Sequence, residues 1–231
     1  MPQITAIQPQ VKNPHRYNIF VGNKFAFGID EDTLIQLSIK KGQEVDEKQL
    51  SEFLQKSEQG KLYQKVLRFL EIRPRSEKEV KDYLWRKIDV GKPWRFPEDG
   101  AETQTTDEQI QPVLDKLKQR NYLNDSAFAG WWLEQRQLSS KPRGDRLIRL
   151  ELRQKGVSEE IIKEVLGAAK IESANQDEQG ETPLQKLIKK QWPKYHLSPR
   201  LEAKNKLIRY LLCRGFDYQE IKKAIDEAKN L

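Results

Sequence analysis

Hydrophobic residues recur through most of the chain at the three- and four-residue spacing of amphipathic helices. From Gly60 onward, every start signal in the sequence is a helix signal. The first run contains Leu62, Val66, Phe69 and Leu70, and Pro74 ends it. Ser76 and Glu79 then form a capping box, in which each side chain accepts from the other's backbone N–H. The pattern predicts a mainly α-helical protein.

The first 57 residues follow a different pattern. Two β-rich runs, 16–21 and 24–29, are separated by Gly22-Asn23, and glycine at the first central position predicts a type II′ hairpin. The string QITAI near the start predicts a third strand, and helices are expected around 31–40 and 46–57. We therefore predict a small α+β domain over 1–57.

Other signals divide the helical part. Helix starts are predicted at Thr106 with Gln109, Asn124 or Asp125, Ser158, and Asp217 with Glu220. The stretch 91–106 holds two prolines and two glycines, which predicts an insertion. Its Trp94 and Phe96 are poorly suited to solvent, so we expect at least partial order there. The acidic, polar stretch 171–183 predicts a linker.

An internal repeat organises these helices. Pro-Arg pairs at 74–75, 142–143 and 199–200, separated by 68 and 57 residues, each precede a helix. The later copies continue as LIRLELRQKGVSEEIIKEVL and LIRYLLCRGFDYQEIKKAI, with Gly156 and Gly215 at the helix C-terminal position that favours glycine. The first copy has Lys87-Ile88-Asp89 there. We predict tandem three-helix repeats in an elongated, curved array. They span 58–122 (with the insertion 91–106), 123–170 and 184–231.

Composition narrows the class of protein. Charged residues make up 33% of the chain and hydrophobic residues 36%, but the aromatic content argues against disorder. No apolar run is long enough to span a membrane, and the first residues lack the apolar core of a signal peptide. Cys213 is the single cysteine, and its apolar neighbours predict a buried thiol. We expect a cytoplasmic protein.

Positive charge is concentrated in two segments. The net charge is +7, yet 139–156 holds six basic and two acidic residues, and 185–215 holds nine basic residues and one acidic residue. Such clusters attract polyanions in a salt-dependent way. A solvated face that only keeps the protein soluble is the alternative interpretation.

Patterns that indicate catalysis are nearly absent. His15 and His196 lie far apart, and no metalloprotease, nucleophile-elbow, P-loop or dinucleotide-binding motif occurs. Several carboxylates already have a structural role as helix caps or first-turn residues: Glu79, Glu159, Glu160 and Glu220. We predict a protein that is not an enzyme and that holds no metal or cofactor.

The basic helices predict a binding surface. Arg146, Arg149 and Arg153 fall at i, i+3 and i+7, and Lys206 and Arg209 share a face in the third copy. Such side chains can bind phosphates or carboxylates, although their stems can also simply cover apolar surface. The candidate partner- or DNA-binding residues are Arg73, Arg75, Lys141, Arg143, Arg146, Arg149, Arg153, Lys155, Lys189, Lys190, Arg200, Lys206, Arg209 and Arg214.

The adjacent tryptophans Trp131 and Trp132 suggest a second kind of contact. Neighbouring residues on a helix point about 100° apart, so both cannot share one face. Trp132 lies on the face of Phe128 and is expected in the core, whereas Trp131 is a candidate for stacking on a base.

Four strings, in this order, resemble the RecX family of bacterial recombination regulators. They are LEIRPRSEKEVKDYL (70–84), NYLNDSAFAGWWLEQR (121–136), GDRLIRLELRQKGVSEEII (144–162) and RGFDYQEIKKAI (214–225), and the resemblance covers roughly 62–228. The chain departs from the family pattern in three features: the insertion 91–106, the missing glycine near Asp89, and the α+β segment before residue 58.

The resemblance implies a non-enzymatic regulator that binds the filament of the RecA recombinase on single-stranded DNA. Members of the family lie along the filament groove and modulate, usually inhibit, RecA ATP hydrolysis, strand exchange and co-protease activity. The implied roles are in homologous recombination, DNA repair and the SOS response. The implied partners are RecA and single-stranded DNA, contacted directly or through RecA, with no membrane. We expect the protein itself to be a monomer.

Two other hypotheses compete with this one. A stand-alone DNA- or RNA-binding helical-repeat protein would need only the same basic faces and Trp131. An adaptor for another helical partner, with the charge serving solubility, would bind neither DNA nor RecA. In the RecA hypothesis, 139–156 and 185–215 face the filament groove.

Overall fold

A computed structural model describes residues 2–11, 13–88, 101–175, 181–194 and 200–227, without the side chains of 101–106, 172–175 and 200. Three strands are followed by ten helices in this part of the chain. The strands are β1 (Ile4–Gln10), β2 (Asn13–Val21) and β3 (Lys24–Asp30). The helices are α1 (Glu31–Gln36), α2 (Glu47–Glu71), α3 (Glu77–Ile88), α4 (Ala101–Gln119), α5 (Asp125–Gln137), α6 (Asp145–Gln154), α7 (Glu159–Asn175), α8 (Pro183–Gln191), α9 (Arg200–Cys213) and α10 (Tyr218–Glu227), with a 3₁₀ turn at Trp192–Lys194. The predicted fold class is confirmed: a small α+β start precedes three-helix repeats.

The strands form one antiparallel sheet in the order β1-β2-β3, which confirms the predicted third strand. The hairpin type was predicted incorrectly. Gly22 (φ 55°) and Asn23 (φ 63°) both lie in the left-handed region, so the turn is type I′, whose twist matches that of the strands it joins. The sheet core contains Ile19, Phe27 and Ile29 and is covered by Phe53 of α2.

α2 corrects the expectation of two separate helices on either side of Gly60. It is one helix of 25 residues that begins with a capping box at Asp46. A Cβ at Gly60 would lie 2.5 Å from Oδ2 of Asp30, so the glycine lets the helix pass close to the end of β3. The predicted domain boundary at 57/58 therefore falls inside α2.

Each three-helix repeat has its own apolar core. The first core includes Leu62 and Val66 of α2, Val80 and Leu84 of α3, and Leu114 and Leu117 of α4. The second includes Phe128 and Leu133 of α5, Ile148 and Leu152 of α6, and Ile162 of α7. The third includes Leu187 of α8, Leu207 and Leu211 of α9, and Ile221 of α10.

Contacts divide the chain into two compact units. One unit comprises 1–73 and 80–123, and the other comprises 74–79 and 124–231. The first turn of α3 therefore belongs to the unit that contains the second and third repeats. Within the described ranges, no helix is long and apolar enough to cross a membrane. The repeat boundaries of the sequence analysis stay a prediction.

Several local expectations were wrong. Thr106 lies inside α4 rather than at its start, so 101–106 is helical, while 91–100 falls outside the described residues. Residues 171–175 of the predicted linker continue α7, and 176–180 are outside the described ranges. Cys213 is exposed, because it lies on the face of α9 opposite Leu207 and Leu211. The caps at Ser76, Asn124, Ser158 and Asp217 are confirmed by side-chain hydrogen bonds.

The buried residues correct the register of the repeat. Val80, Ile148 and Leu207 are equivalent, at spacings of 68 and 59 residues, and Leu84, Leu152 and Leu211 repeat the same spacings. The two Leu-Ile-Arg strings, which begin at Leu147 and Leu207, are therefore not equivalent in structure, since their alignment is shifted by one residue. Arg149 corresponds to Ile208 in structure, and Arg209 corresponds to the exposed Leu150.

The end of α9 and the start of α6 meet in a joint that connects the third repeat to the second through backbone atoms. Gly215 (φ 87°) ends α9 in a Schellman motif, with Phe216 N donating to Leu211 O at 3.3 Å. The carbonyls of Arg214 and Gly215 then accept from the N–H groups of Gly144 (2.9 Å) and Arg146 (3.1 Å) at the start of α6. Unpaired carbonyls of one helix end thereby meet unpaired amides of another helix start.

The equivalent joint between the first and second repeats uses side chains. Gly156 (φ 80°) ends α6 with the same motif. The carbonyls of Gln154 and Lys155 accept from Lys78 Nζ (3.2 Å) and Ser76 Oγ (2.7 Å) at the start of α3. Ser76 is the structural equivalent of Gly144. Its hydroxyl donates to Lys155 O, whereas the backbone N–H of Gly144 donates to Arg214 O.

We expect Gly144→Ala to destabilise the protein by about 1–3 kcal/mol, the usual cost of forcing extra volume into a packed contact. The added Cβ would lie 2.3–2.4 Å from backbone atoms of Gly215 and Phe216, which a small rotation cannot relieve. Urea unfolding followed by circular dichroism measures the change.

Gly130→Ala and Gly167→Ala are the matched controls, since an added Cβ there has nothing within 4 Å. Both lie inside helices and should stabilise the protein by about 0.5–1 kcal/mol. Wild-type stability of Gly144→Ala would show that the joint does not require the close approach.

Candidate binding surface

The three arginines of α6 lie on one side of the helix, as predicted. Ile148 and Leu152 are buried on the opposite side. Arg146 and Arg153 are exposed, and Arg149 is partly exposed. The exposed Leu150 lies at one edge of this basic face.

Glu159 ties two of these arginines to the start of α7. Its Oε1 lies 2.6 Å from Arg149 Nη1, and its Oε2 lies 2.6 Å from Arg153 Nε. The hydrogen bond from Arg153 is the main cause that lowers the pKa of Glu159, and the same bond raises the pKa of Arg153. Of the three arginines, only Arg146 forms no ion pair within the described residues.

Glu151 holds the other side of α6. Trp132 Nε1 and Arg136 Nε of α5 both donate to Oε2 of Glu151 at 2.7 Å, and Arg143 pairs with Oε1. The side chain of Glu151 is only 14% exposed. Burial first, and then the charges of Arg136 and Arg214, lower the pKa of Arg143. Arg143 is thus held in a structural cluster.

Lys155 and Arg214 also have structural contacts. Lys155 Nζ lies 2.7 Å from Oε1 of Glu79 and 4.3 Å from the centroid of the Trp132 ring. The guanidinium of Arg214 lies 5.4 Å from the centroid of the Tyr210 ring. Both residues immediately precede the glycine of a joint, but only Lys155 contacts another repeat, through Glu79, whereas the contact of Arg214 lies within α9.

Some of the remaining candidate residues have partners within the protein, and others are exposed without an ion pair in the described part of the chain. Lys189 pairs with Glu181, Lys206 lies 3.6 Å from Glu202, and Lys190 donates to Ser140 O. Arg73 and Arg75 are partly buried before α3. Lys141 and Arg209 are exposed, and within the described residues neither forms an ion pair. The side chain of Arg200 lies outside the described residues.

The side chains that pair with these cations were not predicted from the sequence. Glu159 was assigned a role at the helix start alone, and Glu151 and Arg136 were not singled out. The exposed Lys186, which lines a groove of about 380 Å³ with Lys190 and Leu138, was missed as well. Its i, i+4 spacing to Lys190 was the signal that could have identified it.

The described residues hold no cluster of side chains suited to a metal ion. His15 is exposed and lies 3.1 Å from Glu31, and His196 is outside the described ranges. Trp132 belongs to the Glu151 cluster as described, and Trp131 is partly buried, with its ring centroid 6.2 Å from that of Phe128. Stacking of a base on Trp131 stays a prediction.

Four family models match the chain. The model described as the regulatory protein RecX N-terminal domain matches 2–46, and the first, second and third three-helix domains of RecX match 63–89, 124–166 and 184–225. The α+β start, which the sequence analysis treated as a departure, is therefore part of the family pattern.

Curated relatives and solved structures agree with these matches. Regulatory protein RecX of Bacillus subtilis (strain 168) is 34% identical over 227 residues, which cover 98% of this chain and 77% of that protein. Regulatory protein RecX of Listeria monocytogenes is 32% identical, covering 98% of this chain and 76% of that protein.

Among solved structures, a crystal structure of regulatory protein RecX matches with a TM-score of 0.71 and 27% identity, covering 96% of this chain and all of that one. The crystal structure of RecX from Lactobacillus salivarius matches with a TM-score of 0.58 and 23% identity, covering 75% of this chain and 97% of that one, and shows the fold alone.

The ion pair at Glu159 leads to a pH prediction. We expect Arg153→Gln to raise the pKa of Glu159 toward its ordinary value, because Arg153 is the main cause of the lowered pKa. A pKa lowered by folding adds stability above the ordinary carboxyl pKa, and this contribution is lost as the pH falls through the lowered value. NMR titration of the side-chain carboxyl carbon measures the change. Arg146→Gln is the control, and equal pKa values of Glu159 in both variants would contradict the assignment.

Proposed function

Because the chain belongs to the RecX family of regulatory proteins, we propose that it binds the filament that RecA forms on single-stranded DNA and inhibits RecA ATP hydrolysis. Inhibition of strand exchange and of co-protease activity would follow from the same contact. The proposal describes a monomer that acts in the bacterial cytoplasm without catalytic activity of its own.

The repeated joint is the observation that carries this proposal. Two equivalent contacts, at Ser76–Lys155 and Gly144–Arg214, connect successive repeats at their helix ends. Tandem repeats of one kind can offer a partner similar surfaces one after another. A filament offers equivalent surfaces in a regular series too, so one molecule can contact several RecA subunits and oppose the movements that ATP turnover requires.

The exposed cations support a polyanionic or acidic partner. Lys141, Arg146 and Arg209 are exposed, and within the described residues none of them has an acidic partner. We propose that these three residues make the first contacts, whereas Arg143, Lys155 and Arg214 maintain the shape of the repeats. Exposed charges accelerate association and give binding its salt dependence.

The direct test is RecA ATP hydrolysis on single-stranded DNA, with this protein titrated at near-physiological salt. We expect inhibition at less than one molecule per RecA subunit, because each molecule spans several subunits. No inhibition, together with tight binding to bare DNA, would overturn the proposal in favour of a stand-alone nucleic-acid-binding protein.

The variant Arg146→Gln/Arg209→Gln should weaken this inhibition several-fold, because an exposed charge pair contributes about 0.2–1 kcal/mol. These two residues make a better test than Arg149 and Arg153, whose removal would also break their ion pairs with Glu159. The half-inhibitory concentration in the ATPase assay measures the effect.

Lys163→Gln/Lys222→Gln is the matched control, since it removes the same charge from exposed sites on α7 and α10. Equal half-inhibitory concentrations for the two double variants would show that net charge, rather than these faces, determines binding.

A further inference from the structure

On the α6 face formed by Arg146, Arg149 and Arg153, the carboxylate of Glu159 competes with any anion that could bind there. Arg149 and Arg153 are 37% and 56% exposed, and Glu159 is 27% exposed, so solvent and large ligands can reach all three side chains. Each carboxylate oxygen of Glu159 is bonded to one arginine. The carboxylate therefore occupies the position that a phosphate group would take between the two guanidinium groups.

We propose that Glu159 suppresses the binding of bare single-stranded DNA to the α6 face by holding Arg149 and Arg153 in ion pairs. The inference deepens the proposed function, and rests on it, because a filament regulator gains from ignoring DNA that carries no RecA. A phosphodiester backbone would then have to displace Glu159 before it contacts more than Arg146 on this face.

The position of Glu159 favours the ion pairs. It lies in the first turn of α7, where the helix dipole favours a negative charge. Arg149 and Arg153 lie one turn apart on α6, so both can reach the same carboxylate without leaving the helix surface. The structure thus keeps two of the three cations of this face neutralised in the absence of a partner.

Counterion release gives the size of the expected effect. Each phosphate contact with a single strand contributes about 0.7 to the slope of log affinity against log salt. Two freed arginines should therefore add about 1.4 to this slope, or roughly seven-fold in affinity across a four-fold change in salt.

Glu159→Gln is the variant that tests this effect, because it keeps the side-chain shape and removes the charge. Binding of a labelled oligothymidylate of about 30 nucleotides is measured without RecA between about 50 and 200 mM salt. We expect Glu159→Gln to bind several-fold more tightly than wild type at the low salt concentration, with the steeper slope.

Glu160→Gln is the matched control. Glu160 is the next residue in the same turn, and its carboxylate interacts with its own backbone and with Ser158 rather than with an arginine. Both variants change the net charge equally, so equal affinity and slope in the two would overturn the proposal.

Two further variants show whether the gain comes from the arginines. Adding Arg149→Gln and Arg153→Gln to Glu159→Gln should abolish the gain, and a retained gain would overturn the proposal. With Glu159 intact, Arg149→Gln/Arg153→Gln should lose no more oligothymidylate affinity than Lys163→Gln/Lys222→Gln, which removes the same charge. A larger loss would also overturn it, and this comparison holds even where Glu159→Gln fails to fold.

The proposed function fails separately, since it requires wild-type protein to inhibit RecA ATP hydrolysis. Inhibition of RecA by the wild type, together with equal DNA binding by Glu159→Gln and Glu160→Gln, would support the proposed function and contradict the role of Glu159. A protein with no effect on RecA loses the proposed function, whereas the oligothymidylate measurements still test the role of Glu159.

Discussion

The second and third repeats depend on a contact in which backbone meets backbone. The end of α9 delivers two carbonyls to the first amides of α6, and no side chain can stand between them. Gly215 supplies the left-handed turn, and Gly144 supplies the space. The glycines of the repeat therefore have two different physical roles, one conformational and one steric. Helix ends leave carbonyls unpaired, and at the end of α6 the carbonyl of Lys155 is satisfied by the Ser76 hydroxyl instead of a backbone amide.

The joints between repeats also determine which basic side chains are paired with carboxylates. Positive residues lie beside each joint, since Lys155 and Arg214 directly precede its glycines. Lys155 is neutralised by Glu79, and Arg143 near the second joint is neutralised by Glu151. A segment that is strongly basic in sequence is thus less basic as a surface. The net charge of 139–156 overstates how many cations are available to a partner. The exposed cations without an ion pair among the described residues are the ones that indicate a binding surface.

The sequence was sufficient for the fold class, the repeats and most helix caps, because these depend on local spacing. It failed where distant residues decide the outcome. Gly60 suggested a break, but Asp30 on β3 explains why a glycine lies inside a continuous helix. The Leu-Ile-Arg strings suggested one register, whereas burial of Ile148 and Leu207 shows another. The basic side chains were found by composition, but which of them are paired depends on carboxylates brought together only by folding.

Solvent exposure separates the two carboxylates that hold α6. Glu151 is 14% exposed, accepts hydrogen bonds from Trp132 and Arg136 and pairs with Arg143, so removing a partner would leave a largely buried charge without compensation. Glu159 is nearly twice as exposed and faces two arginines that water already reaches. An ion pair of this kind contributes little net stability, since solvent competes for both charges. For the same reason a polyanion can compete for them. Glu151 thus belongs to the architecture of the repeats, whereas Glu159 belongs to the surface that, in the proposed function, a partner would open.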